Sequence, residues 1–186
     1  KRYKPTDTQL DRLNNYEVKL LDFNDTIKKE SSDLMVRENE KLEVRNKREG
    51  ELKVIFLSRI SRKKNLHTAI KLLDGLIGKI QFNIFGPLED KKYWRECLTI
   101  IDGLPKNVQV QYCGSVKHDQ ILSVMQNHDL FFLPTLGENF GHVILEALCG
   151  GSPVLLSNQT PWLHLEDKGI GWDLPLDNTR GFKKIL

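Results

Sequence analysis

From Leu52 onward the chain alternates short apolar runs with stretches of helical spacing, and that alternation restricts the fold more than any other feature. KVIFLS (53–58) is a brief apolar run rich in β-formers. NLHTAIKLLDGLIG (65–78) then sets Leu66, Ala69, Ile70, Leu73, Leu76 and Ile77 on one helical face. IQFNIFG reads as a second strand and EDKKYWRECLTII as a polar helix after it; VQVQYCG as a third strand, with the helix HDQILSVMQN behind it. DLFFLP, GHVILEALC and SPVLLS give a fourth strand, a fourth helix and a fifth strand. Strands that alternate with helices predict βαβ units with right-handed crossovers. The expected architecture is therefore α/β: a doubly wound parallel sheet, Rossmann-like, with helices on both faces.

The first 49 residues break the pattern. They are polar and charge-rich (KRYK, IKKESSD, ENEKLEVRNKREGE), with Leu10, Leu13, Glu17 and Leu20–Leu21 at roughly helical spacing. We place a boundary near Gly50, with 1–49 a linker or the remnant of a preceding domain and 50–186 a domain of its own. The whole chain has 186 residues, room for one sizeable core. Its start at Lys1 and its helix-like end GFKKIL read as a fragment of a longer protein. A net charge of +3 makes no call for nucleic acid and suits an anionic ligand or an acidic membrane surface. Cys97, Cys113 and Cys149 are odd in number, scattered and in apolar contexts, which reads as reduced core thiols of a cytosolic protein. No apolar run approaches membrane-spanning length.

In a parallel sheet ligands bind beyond the carboxyl ends of the strands. The residues there are Ser58-Arg59-Ile60, Gly86-Pro87, Gly114-Ser115-Val116, the loop from Pro134 to Phe140, and Ser157-Asn158. In PTLGENFGHVILEALCGG, Gly137 and Gly141 permit tight turns, and a helix starting near Gly141 points its free N–H groups back into the loop, where they attract phosphate. Glu138 and Glu146 would repel a phosphate but can accept hydrogen bonds from hydroxyls. Together these features describe a sugar-phosphate or nucleotide ligand, although either carboxylate taken alone reads first as an ordinary loop or helix residue. In FLSRISRKKNL, Arg59 ends a strand and Lys64 opens the next helix, two cations able to neutralise a pyrophosphate. The plain alternative is a solvated basic turn, since Arg62 and Lys63 stand there too. Of the histidines, His67, His118, His128 and His164 have no metal spacing, and His142 stands out only because it falls at the helix start. Tyr93 and Trp94 read as anchors to the sheet. The turn Asn158 to Trp162 carries polar groups within reach of a ligand, with a capped turn as its default reading. Gly86 stands alone, without a GxGxxG fingerprint.

ENFGHVILE resembles the E-x7-E signature of retaining GT-B glycosyltransferases, family 4, the glycosyl transferases group 1. FLSRISRKKN looks like the family's GR…K(G/N) element, and GPLEDKKYWREC, VQYCGSV and GGSPVLLSNQTPW resemble its bacterial surface-polysaccharide branch. The likeness runs over roughly residues 52–175. It implies the C-terminal half of a GT-B fold, with 50–186 binding the donor. By that resemblance Glu138 holds hydroxyls of the donor sugar, and backbone N–H groups of Asn139, Phe140, Gly141 and His142 meet sugar and phosphate. Glu146 holds the ribose, Arg59 and Lys64 the diphosphate, and Gly114, Ser115 and Val116 the base. Ser58 and Asn65 depart from the glycines many members have there. The half that would carry the acceptor site is absent from this sequence, and the helix that crosses back to it would lie past Leu186.

The resemblance implies transfer of a sugar from a UDP- or GDP-sugar to a glycan or lipid-linked acceptor with retention. No metal and no cofactor are implied beyond that donor, the enzyme is cytoplasmic or at the inner face of the membrane with peripheral association, and nucleic acid is not a partner. A noncatalytic nucleotide-binding module, or a GT-B-like epimerase or phosphorylase, remain the alternatives.

Overall fold

The computed structural model describes residues 50–186. The helical spacing read in QLDRLNNYEVKLLDF, and the linker or remnant assignment of 1–49, lie outside the described residues.

Six strands form one parallel sheet: β1 (Glu51–Leu57), β2 (Lys79–Phe85), β3 (Val108–Gly114), β4 (Leu130–Leu133), β5 (Val154–Ser157) and β6 (Gly171–Leu174). Their spatial order is β3-β2-β1-β4-β5-β6, every neighbouring pair parallel. The helices between them are α1 (Leu66–Leu72), α2 (Lys91–Asp102), α3 (Ile121–Gln126) and α4 (His142–Cys149), with α5 (Thr179–Ile185) last. α1 packs with α2, and α3 with α4. Right-handed crossovers from a sheet whose order reverses place these two pairs on opposite faces. The reversal falls between β1 and β4, the place where open sheets of this kind form their ligand crevice.

Burial explains which runs became central. Val54 to Leu57 of β1, and all four residues of both β4 and β5, are buried, as strands covered on both faces must be. β2 buries only Ile80, Phe82 and Ile84, and β3 at the edge only Val108. Phe56 meets Phe82 edge to face at 6.5 Å, and Phe182 of α5 packs on Phe132 at 5.8 Å. α2 is capped by Asp90, whose carboxylate accepts the Tyr93 N–H at 2.8 Å. Tyr93 is fully buried, as its anchor reading required. Its hydroxyl accepts the His67 backbone N–H at 2.9 Å and lies 2.8 Å from His67 Nδ1, tying the start of α1 to α2. Burial holds His67 below its usual value, which suits an imidazole nitrogen that accepts the tyrosine proton. Trp94 packs beside Tyr112 of β3 at 5.1 Å.

Several expectations are corrected. α1 stops at Leu72, and Ile77 is 98% exposed rather than on the core face; Gly75 and Gly78, both at positive φ, end the helical path. The stretch 118–127 opens with a 3-10 turn, His118–Gln120, before α3 begins. β6 carries no strong sequence signal, being four residues that include Gly171 and Asp173. Among the cysteines only Cys97 is a core thiol, and burial pushes it up to about 11; Cys113 is half-buried and Cys149 exposed. No helix among the described residues is long and apolar enough to cross a membrane.

One glycine locks the rim together. Gly86 at φ +130 donates its N–H to the Gly114 carbonyl at 2.8 Å, while Ser58 N–H bonds the Phe85 carbonyl at 3.0 Å. A Cβ on Gly86 would fall 1.9 Å from the Ser58 carbonyl oxygen. Gly86→Ala is therefore expected to cost at least about 2 kcal/mol, strain and backbone displacement together. The check is a urea melt, with a lowered midpoint at unchanged slope.

Candidate functional site

The crevice is built by the chain segments that follow β1 and β4. After β1, a 3-10 turn (Arg62–Lys64) is closed by Asn65 in the left-handed region, φ 60 and ψ 35. That conformation favours glycine and tolerates asparagine, which accounts for one of the two departures noted in the sequence. Asparagine adds a side chain: its Nδ2 donates to the Pro134 carbonyl at 2.8 Å, and its Oδ1 accepts from Thr68 at 2.8 Å. Ser58, the other departure, has no positive φ, so its side chain brings no backbone strain.

The two loops are zipped together by main-chain groups. The Lys63 carbonyl accepts the Leu136 N–H at 2.8 Å and the hydroxyl of buried Thr135 at 3.1 Å. The Thr135 carbonyl in turn accepts from Ser157 at the end of β5. This scaffold brings Lys64 Nζ against Glu138 Oε1 in an ion pair with both side chains only 10% exposed. Neither charge would be tolerable there alone. Arg59 goes elsewhere: its Nη1 lies 2.9 Å from Glu89 Oε1, on the loop after β2, with both side chains about half exposed. Sequence reasoning overlooked Glu89, although an opposite charge in a neighbouring post-strand loop was there to be seen.

α4 begins at Gly141, φ +78, where a Cβ would sit 2.6 Å from Ile144 Cδ1. Ile144 N–H already returns to the Gly141 carbonyl at 2.8 Å. The backbone N–H groups of Asn139, Gly141 and His142 donate to no acceptor among the described residues. They lie at the positive end of the helix. Glu138 N–H bonds the Gln159 carbonyl at 3.0 Å, and the Trp162 indole Nε1–H donates to the Phe140 carbonyl at 2.6 Å. The turn after β5 thus buttresses the loop after β4. The Phe140 ring lies between His142, at 4.8 Å, and Trp162, at 5.9 Å.

Glu146, one turn further along α4, is 22% exposed at its side chain. His118 Nδ1 reaches it at 3.4 Å from the turn that follows Gly114, Ser115 and Val116. That contact places the loop after β3 beside Glu146, so the two sets of residues assigned to the base and ribose share one end of the rim. The rim therefore divides into two clusters. Lys64, Glu138 and the start of α4 stand at the crevice, with Arg59 and Glu89 to one side; Glu146, His118 and the loop after β3 form the other. Among the described residues no group of three or more His, Cys, Asp or Glu is arranged to hold a metal ion.

The model of the family described as glycosyl transferases group 1 matches residues 37–170. The 2-deoxystreptamine N-acetyl-D-glucosaminyltransferase of Niallia circulans is 28% identical over 114 residues, 59% of this chain and 28% of that protein. Among solved structures, Anabaena Alr3699/HepE in complex with UDP and glucose superposes with a TM-score of 0.61 at 22% identity, over 73% of this chain and 38% of that one. A glycosyltransferase from Rickettsia africae gives 0.64 at 16% identity, over 74% and 37%. The catalytic domain of the Helicobacter pylori cholesterol-alpha-glucosyltransferase gives 0.55 at 19%, over 72% and 83%. At these identities the structural likeness is one of fold. The chain spans well under half the length of the curated relative and of the first two structures.

The Lys64–Glu138 pair can be tested without any ligand. Lys64→Ala strands a nearly buried carboxylate and is expected to lower stability by about 3 kcal/mol, whereas Lys64→Met combined with Glu138→Leu recovers most of that loss. Chemical denaturation of the three proteins makes the comparison, and a double variant as unstable as Lys64→Ala would mean the pair has no special standing.

Proposed function

The chain belongs to the glycosyl transferases group 1 family, and from that membership we propose that residues 50–186 bind the nucleotide-sugar donor of a retaining glycosyltransferase, the acceptor being a glycan or a lipid-linked acceptor held by a second domain. The observation that carries the reading is the Lys64–Glu138 pair, set at the point where strand order reverses and beside unbonded N–H groups of the α4 start.

The chemistry follows from the residue types. As the glycosidic bond of a donor breaks, negative charge grows on the departing diphosphate, and groups that meet it more strongly at that moment speed the reaction. Arg59 offers several N–H donors, of which Nη1 is committed to Glu89. Lys64 has three, so it can keep Glu138 and take a phosphate oxygen together. The N–H groups of Asn139, Gly141 and His142, without an acceptor among the described residues, add oriented dipoles without a mobile charge. Glu138, anchored through Oε1, keeps its other oxygen for a sugar hydroxyl. Glu146 would accept from a ribose diol, next to the turn at Gly114, Ser115 and Val116 that would meet the base; its contact with His118 supports that reading. On this reading the chain's own cations supply the neutralisation that a metal would otherwise provide.

A thermal-shift panel of UDP, GDP, ADP, their sugars and the matching plain nucleosides reads out donor preference, because occupancy of the folded state raises its stability. Nucleoside diphosphates should raise the melting temperature where plain nucleosides barely do, and equal or absent shifts would refute the proposal. Calorimetry on Arg59→Ala should show diphosphate binding weakened by about 1.5–3 kcal/mol. The 186-residue chain is expected to bind donor without transferring sugar.

A further inference from the structure

We propose that Trp162 is a positioning residue of the donor site: its indole N–H fixes the peptide plane between Phe140 and Gly141, so that the Gly141 N–H is presented to the donor phosphates. The proposal rests on the donor-binding reading and adds a residue that the E-x7-E and Arg–Lys elements do not contain.

Its geometry is simple. In a trans peptide the carbonyl and the N–H of one plane point in opposite directions. The Phe140 carbonyl is held by Trp162 Nε1 at 2.6 Å, so the N–H of the next residue, Gly141, is turned away from the indole. That N–H donates to nothing among the described residues. Gly141 itself sits at φ +78, in a region open to glycine with several nearby ways of placing the same plane. The indole bond to the Phe140 carbonyl narrows that choice. The anchor is stiff in turn. Buried Thr160 accepts the Trp162 N–H through Oγ1 at 3.2 Å and donates to the Trp162 carbonyl at 3.3 Å. Phe140 stacks edge-on against the indole at 5.9 Å, which sets the ring as well as its polar edge. A second tether, Glu138 N–H to the Gln159 carbonyl, holds the other end of the same loop at 3.0 Å. The turn after β5 therefore acts as a splint on the loop after β4, and the price of ordering that loop is met before the ligand arrives.

The test uses the whole 186-residue chain and the variant Trp162→Phe, which keeps an aromatic ring and deletes the N–H. Hydrogen exchange of the ligand-free proteins should show faster exchange at the Glu138 amide, whose bond to the Gln159 carbonyl belongs to the same splint, in the variant. Calorimetry with UDP, GDP and ADP, and with the matching nucleosides, then separates positioning from general loosening. The tightest-binding diphosphate should lose about tenfold in affinity, while its nucleoside stays within about twofold. Diphosphate and nucleoside weakened alike, or neither weakened, would overturn the proposal while leaving the donor reading in place. A wild-type chain that binds no nucleoside diphosphate would overturn the donor reading, and this proposal with it.

Discussion

Lys64 and Glu138 meet across the crevice where the sheet reverses its order, and the rest of the rim is arranged so that they can. Two charges with 10% exposed side chains have lost most of their water, a penalty of several kcal/mol each that only close pairing offsets. Flexible side chains on mobile loops would add an entropic cost to that penalty. Here the loops are fixed first. Lys63 hands its carbonyl to Leu136 and Thr135, Asn65 reaches over to Pro134, and Ser157 holds the Thr135 carbonyl from below. The ion pair thus closes a gap whose width the backbone has already set. A one-residue change in the length of either loop would move one end of the pair away from the other.

Much of this was legible beforehand, and the parts that were not have physical reasons. β1, β4 and β5 are continuous apolar runs because both of their faces are covered, and such runs declare themselves in sequence. β6 did not, since GWDL is held in the sheet by pairing with β5 and by Asp173 accepting the Leu165 N–H, neither of which leaves a periodic trace. α1 was read too long because Leu76 and Ile77 continue the helical spacing, whereas the positive φ of Gly75 and Gly78 overrides it. The candidate residues were located through their position after strands. Their partners were not, because Glu89, Gln159 and His118 join Arg59, Glu138 and Glu146 only through tertiary contact. Trp162 was noticed in a turn after β5, but its indole bond to Phe140 belongs to the geometry of two loops and to no motif.

The pairing of both candidate cations with carboxylates changes how donor binding should be pictured. Arg59 faces Glu89, Lys64 faces Glu138, and Glu146 has His118 beside it. A rim so balanced is not a positive hole waiting for an anion, and with a net charge of only +3 long-range steering has little to work with. Under the donor reading, binding is instead an exchange of partners, and the two ion pairs differ in what exchange would cost. The Arg59–Glu89 contact is about half exposed on both sides, so parting it sacrifices at most about 1 kcal/mol, and Arg59 can swing to a phosphate with little loss. The Lys64–Glu138 contact is nearly buried and too costly to break, so it must be shared: the ammonium keeps the carboxylate and turns a remaining N–H outward. Lys64 would then meet the phosphate with part of its charge already answered, contributing modestly to ground-state affinity. Its contribution would grow as a leaving diphosphate gained charge, and a group whose pull increases along the reaction coordinate accelerates the step itself.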